Sequence, residues 1–231
     1  MASITIQATD GGGSFQAFML EPKTKPAGAV VVIQEIFGVN QAMRDTCAWI
    51  ADMGFIAICP DLFWRIEPGI DITDKSEAEW KRAFELFGKF DKDKGIEDLK
   101  VTLAAARTLP GGNGRAGTIG YCLGGLLAFM MAEQSNGDIN ISYYGVGLDG
   151  LLGGLAKVTK PLLVHIADLD EYFPAEGRTK VAAATKGHPH ISCHNYSADH
   201  AFARINGVHW DGRSATIANG RSAEALAKAL G

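Results

Sequence analysis

The stretch GTIGYCLGG, residues 117–125, places a thiol between two glycines at equal distance, Gly120 and Gly124, with Gly125 following. Apolar residues lead in and the run LLAFMMA leads out, so a buried strand passes straight into a helix. A nucleophile on such a turn is held in a strained conformation, and its neighbours must be small. The turn also puts Cys122 at a helix N-terminus, where the dipole favours thiolate and the Leu123 amide can face a developing oxyanion. Read blandly, the same stretch is a tight turn with a buried thiol, so partners are needed.

A nucleophile of this kind is followed along the chain by an acid and then a histidine. VHIADLDEYFP offers Asp168, Asp170 and Glu171 after a strand, and Asp170, beyond the strand end and ahead of Phe173-Pro174, is the best placed. YSADHAFAR offers His200 in a loop after the last strand. His165 lies inside a strand and reads as a hydrogen-bonded core residue. His188 and His190 flank Pro189 at a strand start, His194 lies within that strand, and His209 in NGVHWDG is the one serious rival. Upstream, VVVIQEIFGVN puts Glu35 where a buried strand gives out, a costly place for a carboxylate without a partner. In this kind of fold the loop after that strand supplies the second oxyanion amide, here Ile36.

The elements that must carry these groups alternate. AVVVIQEIFG, GFIAICPDLF, the run through Gly120, INISYYGVG, PLLVHIADLD and HISCHNYS read as strands. Between them NQAMRDTCAWIADMGF, SEAEWKRAFELFGKF, KGIEDLKVTLAAARTLP, LLAFMMA and PAEGRTKVAAATKG read as helices, and SAEALAKALG closes the chain as another. Ser76 and Glu79 have the spacing of a capping box, and Trp80, Ala83, Phe84 and Phe87 share one helix face. Near-continuous apolar strands alternating with helices predict an α/β fold with a mostly parallel sheet covered on both faces. ITIQA and SFQAFML, split by TDGGG, predict an antiparallel hairpin at the sheet edge. No linker or repeat interrupts the pattern, so one domain over 1–231 is expected.

The 231 residues are 47% hydrophobic and 21% charged, with a net charge of −4. No basic footprint argues for nucleic acid or an anionic membrane, and no apolar run is long enough to span a bilayer. MASITIQATDGGG lacks a basic region followed by an apolar stretch, so a cytoplasmic, reduced setting is expected. Cys47, Cys59, Cys122 and Cys193 contain no CxxC pair; Cys47 and Cys59 sit in apolar surroundings and read as small buried hydrophobes. Nothing calls for a metal or cofactor, and the expected partner is a small-molecule substrate of a monomer.

Taken together, IQEIFGVN, CPDLF, GYCLGG, YYGVG, DLDEYFP and HAFAR, in that order over nearly the whole chain, resemble the dienelactone hydrolase family. The resemblance implies an α/β-hydrolase fold, a Cys122, His200 and Asp170 triad, and hydrolysis of a small lactone or ester bearing a carboxylate. It implies that Glu35 holds the resting thiol away from His200, and that Arg204 pairs with Glu35 and with the substrate carboxylate. Arg204, Ile36, Leu123, Trp80, Phe37 and Arg65 are the implied substrate contacts. One position departs: Trp80 stands where the family has a second substrate-binding arginine. Lys81 and Arg82 are adjacent but lie roughly one and two hundred degrees further around the helix, and Trp80, on the face of Phe84 and Phe87, is expected to point inward. Three other readings stay open: a broader carboxylesterase or thioesterase on the same triad, a redox-sensing thiol protein in which Cys193 approaches Cys122, and a non-catalytic binding module.

Overall fold

A computed structural model describes residues 2–231. They divide into two compact units, one ending at Ala116 and the other running from Gly117 to Gly231.

In the first unit, β1 (Ala2–Gln7) and β2 (Ser14–Leu20) form the expected hairpin, paired antiparallel from Ala2↔Met19 to Gln7↔Ser14. β2 then pairs antiparallel with β4 (Ile56–Pro60), and β4 pairs in parallel with β3 (Ala27–Ile33). The order is β1-β2-β4-β3, with β1 outermost in this unit. Every residue of β3 and β4 is buried, which is why both read as unbroken apolar runs. Helix α1 (Gln41–Asp52) starts at Asn40, whose side chain accepts the Met43 N–H at 3.2 Å. It packs on β4, with Cys47 and Cys59 fully buried and their thiols in contact. Helix α2 (Glu77–Lys89) is followed by α3 (Lys92–Arg107), capped by Asp91.

Two details of α2 differ from the sequence reading. Ser76 does accept the Glu79 N–H at 3.3 Å, but the Glu79 carboxylate also reaches back past the cap to the Thr73 N–H and hydroxyl, each at 2.9 Å. The inward face is set by Ala83 and Leu86, while Phe84 and Phe87 stand 48% and 45% exposed. Trp80 is therefore only half-buried. It donates its indole N–H to the Asp74 carbonyl at 3.0 Å and stacks on Phe84.

The second unit is built on parallel pairing. β5 (Gly112–Tyr121) enters it from across the boundary and is followed by β6 (Asn140–Tyr143), β7 (Leu162–Ala167) and β8 (Ile191–Tyr196), adjacent in that order. Helix α4 (Leu123–Gln134) is apolar on nearly all sides and buried accordingly. LDGLLGGLAK, for which the periodicity gave no element, is a 3₁₀ helix over Leu148–Lys157. Helix α5 (Ala175–Thr185) precedes β8. The last helix, α6 (Gly212–Leu230), begins ten residues before the SAEALAKALG stretch that reads as helix in the sequence. Asp211 caps it, accepting the Ser214 N–H at 2.7 Å. Gly212, Asn219 and Gly220 are poor helix formers, and the buried row Ala215, Ala218, Ser222, Leu226 and Leu230 outweighs them. Among the described residues no helix is long and apolar enough to cross a membrane.

Strand register puts Tyr121, Tyr143, His165 and His194 level with one another. Their rings form a row, with centroids 4.8, 4.3 and 6.2 Å apart in turn. His165 is fully buried, as a hydrogen-bonded core histidine should be. Its Nδ1 meets the Tyr196 hydroxyl at 2.8 Å and its Nε2 the Ser222 hydroxyl at 3.0 Å. The Ser222 hydroxyl is itself 2.7 Å from that of Tyr143, and Arg221 donates to Tyr196. Burial first, then His194 and Arg221, push the His165 imidazolium well below its ordinary range, so the folded protein keeps it neutral. The unfolded chain gains a proton there below about pH 6.5 and the folded one does not. Stability from this site is therefore whole above that pH and is lost as pH falls, by at most ~1.4 kcal/mol per pH unit. Half-buried His194, lowered in the same direction, adds to the slope. Urea midpoints at pH 7.5 and 5.5 check this: His165→Leu should lower the midpoint at both values but reduce the difference between them. Equal differences in variant and wild type would place the acid sensitivity elsewhere.

Candidate active site

The row of rings ends one residue short of the chemistry. After Tyr121 the chain turns at Cys122, whose φ of 56° and ψ of −114° lie where side-chain-bearing residues rarely go. Such a conformation costs of order 1–3 kcal/mol and persists only if the surroundings enforce it. They do. The Cys122 N–H is held by the Tyr143 carbonyl at 3.1 Å, and the Cys122 carbonyl accepts the Leu126 N–H at 3.1 Å, opening α4. A Cβ on Gly120 would lie 1.9 Å from the Gly124 carbonyl oxygen, and one on Gly125 would lie 2.3 Å from the Tyr143 carbonyl oxygen. Only bare backbone lets strand, turn and helix approach so closely. The first N–H groups of α4, Leu123 among them, have no carbonyl one turn back, so they and the helix dipole face outward beside the thiol.

His200 follows β8 in a tight turn, and Asp170 follows β7. Both are buried, at 6% and 5% exposure. The Asp170 Oδ2 and His200 Nδ1 are 2.7 Å apart. A carboxylate can only accept, so Nδ1 carries the proton and Nε2 is left for the thiol. The Cys122 side chain lies close enough to His200 to act on its charge. Burial works against a charged imidazole here. Charge on Cys122 and the bond to Asp170 outweigh it and raise His200 to about 10. A histidine held in this way is placed to exchange a proton with a group beside its Nε2. Tyr144 and Tyr172 present ring edges to His200, with centroids 5.2 and 5.0 Å away. Arg204, four residues on, is buried at 5% exposure and is not without a partner.

The remaining expected residues lie in the first unit. Glu35, two residues past β3, is buried at 1% and is not without a partner. Ile36 and Phe37 follow it and are also buried; Phe37 meets the Trp80 ring edge-on at 5.0 Å. Arg65 is not the open cation the resemblance implies. Its guanidinium grips Asp98 through Nε at 3.0 Å and Nη2 at 2.8 Å, reaches Asp10 at 2.9 Å, and lies over the Trp64 ring. With its fork taken up by a buried carboxylate, Arg65 anchors the loop after β4 to α3, and the substrate contact expected of it is withdrawn. His209 also falls away as a base: it is 42% exposed and 3.6 Å from Asp199.

Sequence reasoning missed the residues that hold the acid. Arg178, on α5, donates to three backbone carbonyls of the loop bearing Asp170, and Asn195 donates to the Asp168 carboxylate at 2.6 Å. An arginine in the first turn of a helix, against the dipole, was the available signal. Cys193 cannot serve Cys122 as a resolving thiol. It lies within β8, three strands from β5 or about 14 Å at the usual strand spacing, whereas a disulfide needs Cα atoms roughly 4.4–6.8 Å apart. Among the described residues no group of three or more His, Cys, Asp or Glu is placed to hold a metal ion.

A strained turn after one parallel strand, with a carboxylate and a histidine after two later ones, is the arrangement of the α/β-hydrolase fold. The chain belongs to the dienelactone hydrolase family, whose model matches residues 15–230. It is 50% identical to a provisionally named carboxymethylenebutenolidase of Azospirillum brasilense, over the whole of both chains. It is 38% identical to the carboxymethylenebutenolidase of Pseudomonas putida, over 97% of this chain and 95% of that one. A provisionally assigned dienelactone hydrolase of Klebsiella pneumoniae has the same fold, with a TM-score of 0.82 at 24% identity, covering 99% of this chain and 100% of that one.

Proposed function

We propose that this hydrolase opens a small, carboxylate-bearing lactone or ester through a thioester on Cys122. The observation that carries the reading is the buried Asp170–His200 pair, 2.7 Å apart, with the strained Cys122 turn beside it at the start of α4. His200 Nε2 holds the thiol proton, and the thiolate attacks the ester carbonyl carbon. The Leu123 N–H receives the oxyanion. Collapse expels the alkoxide or enolate oxygen, which takes the proton from His200. Water, deprotonated by His200, then attacks the thioester and regenerates the thiol. Asp170 keeps the ring in one tautomer and stabilises its charged form. Curated relatives at 38–39% identity are named for a carboxymethylene-substituted butenolide, an unsaturated lactone carboxylate, which supports the substrate class.

Trp80 argues for breadth. A hydrogen bond to a charged group contributes roughly 1.5–3 kcal/mol, so an arginine absent from this position lowers the preference for carboxylated substrates by about tenfold to a hundredfold. That favours, as a second reading, a broader small-molecule esterase on the same triad. Rapid quenching during turnover, followed by mass spectrometry, tests the chemistry. The acyl mass should appear on the peptide bearing Cys122, with a carboxylated lactone and, to a smaller extent, with its neutral methyl ester. Turnover with the acyl group on another residue, or with Cys122 oxidised and never acylated, would sink the reading.

A further inference from the structure

We infer that Arg178 is a positioning residue, whose guanidinium sets the Asp170 carboxylate against His200 by clamping the acid-bearing loop. This rests on the triad proposed above. The loop between β7 and α5, residues 168–174, has no regular hydrogen-bonding pattern of its own, yet Asp170 must be fixed to a fraction of an ångström. Arg178 Nη2 donates to the Asp168 carbonyl at 2.6 Å and Nη1 to that of Asp170 at 2.8 Å. Nη1 also donates to the Phe173 carbonyl. One planar cation thus ties the residue before the turn, the acid itself and the last residue before the helix entry. Lysine, whose three donors share one nitrogen, cannot span carbonyls that the guanidinium reaches from two.

The placement is against local preference. A cation in the first turn of a helix opposes the macrodipole, and three carbonyl dipoles directed at the guanidinium offset that. The fixed loop is joined directly to the histidine. The Asp170 Oδ1 accepts the Tyr172 N–H at 2.9 Å while Oδ2 takes His200, so both carboxylate oxygens are committed in one orientation. The Leu169 N–H donates to the Ala198 carbonyl at 3.1 Å, two residues before His200. Phe173 is buried against α5, where a Cβ on Gly177 would lie 2.6 Å from its ring. Loop, acid and base move together only while the clamp holds.

Ester hydrolysis and the pH dependence of Cys122 alkylation by iodoacetamide, measured on the full chain, test this. Arg178→Ala should lower kcat by about tenfold to a hundredfold with KM nearly unchanged, the cost of a misplacement near 1 Å. The alkylation limb should move to higher pH, because an imidazolium robbed of Asp170 supports less thiolate. The groups that face His200 are Asp170, Cys122, Tyr144 and Tyr172, with Glu171 beside Tyr172; Asp199 and Arg204 are the charged residues nearest to it along the chain. Arg178→Lys should lie between the two, and millimolar guanidinium should partly restore Arg178→Ala. Lys180→Ala, which breaks only an exposed pair with Glu176 on the same helix, should change nothing. A folded Arg178→Ala with wild-type kcat and an unmoved limb overturns the proposal, as does loss of kcat and KM together without guanidinium rescue. If Arg178→Ala does not fold, Arg178→Lys is decisive by the same two readings. Failure of the triad itself would show differently, as hydrolysis surviving Cys122→Ala.

Discussion

Cys122→Ala should abolish hydrolysis while leaving the circular dichroism spectrum unchanged. Alanine meets the same positive φ as cysteine, and the bonds that hold the turn, from Tyr143 and to Leu126, are made by backbone. The variant therefore keeps the oxyanion site and the Asp170–His200 pair and lacks only the attacking atom. Removing a nucleophile from a cooperating set costs on the order of 10⁴–10⁶ in kcat. Cys122→Ser should fall between the two, since an alkoxide is far harder than a thiolate for His200 to support. Activity of the folded alanine variant within about tenfold of wild type, a barrier change of only ~1.4 kcal/mol, would mean that another residue attacks.

His200→Ala should be nearly as damaging, and His209→Ala should be close to silent. Removing a general base costs about 10²–10⁴. Here the same ring also stabilises the thiolate, so the upper part of that range is expected. His209 makes one long contact to Asp199 at the surface, and its loss should change the rate by no more than about twofold, within the usual scatter of exposed substitutions. The His200 variant should also lose Cys122 alkylation at neutral pH, which separates loss of the base from loss of substrate binding. Equal losses in the two variants would reopen the choice of base.

The geometry behind these expectations was legible because turn, carboxylate and histidine are each announced locally. Gly120 and Gly124 mark the turn, Asp170 lies just beyond a strand, and His200 follows the last one. The hairpin, the parallel strands and the helices between them were readable for a similar reason, since β3 and β4 are buried on both sides and show it residue by residue. Other features depend on neighbours distant in sequence. Helix α6 begins at a glycine because a buried row from Ala215 to Leu230 overrides propensity. The inward face of α2 is chosen by what packs on Ala83 and Leu86, although Phe84 and Phe87 are larger and more apolar. Arg65 has only the resemblance to place it until Asp98, 33 residues on, is brought to it. Arg178 recognises carbonyl oxygens, which every residue has, so the sequence marks only its odd place in the first turn of a helix and not the partners that it clamps.

The close approach of Gly120 to the Gly124 carbonyl has a practical meaning for anyone wishing to redirect this enzyme. The elbow is a socket with a rigid collar and an exchangeable pin. Side chains at 120 and 125 collide with backbone carbonyls, which no rotamer change relieves, so libraries that randomise these two positions build a clash into nearly every member. Position 122 already carries a side chain at its positive φ. The economical library therefore holds Gly120 and Gly125 constant, samples different reactive groups at 122, and explores shape only in the loops that bear the acid and the histidine.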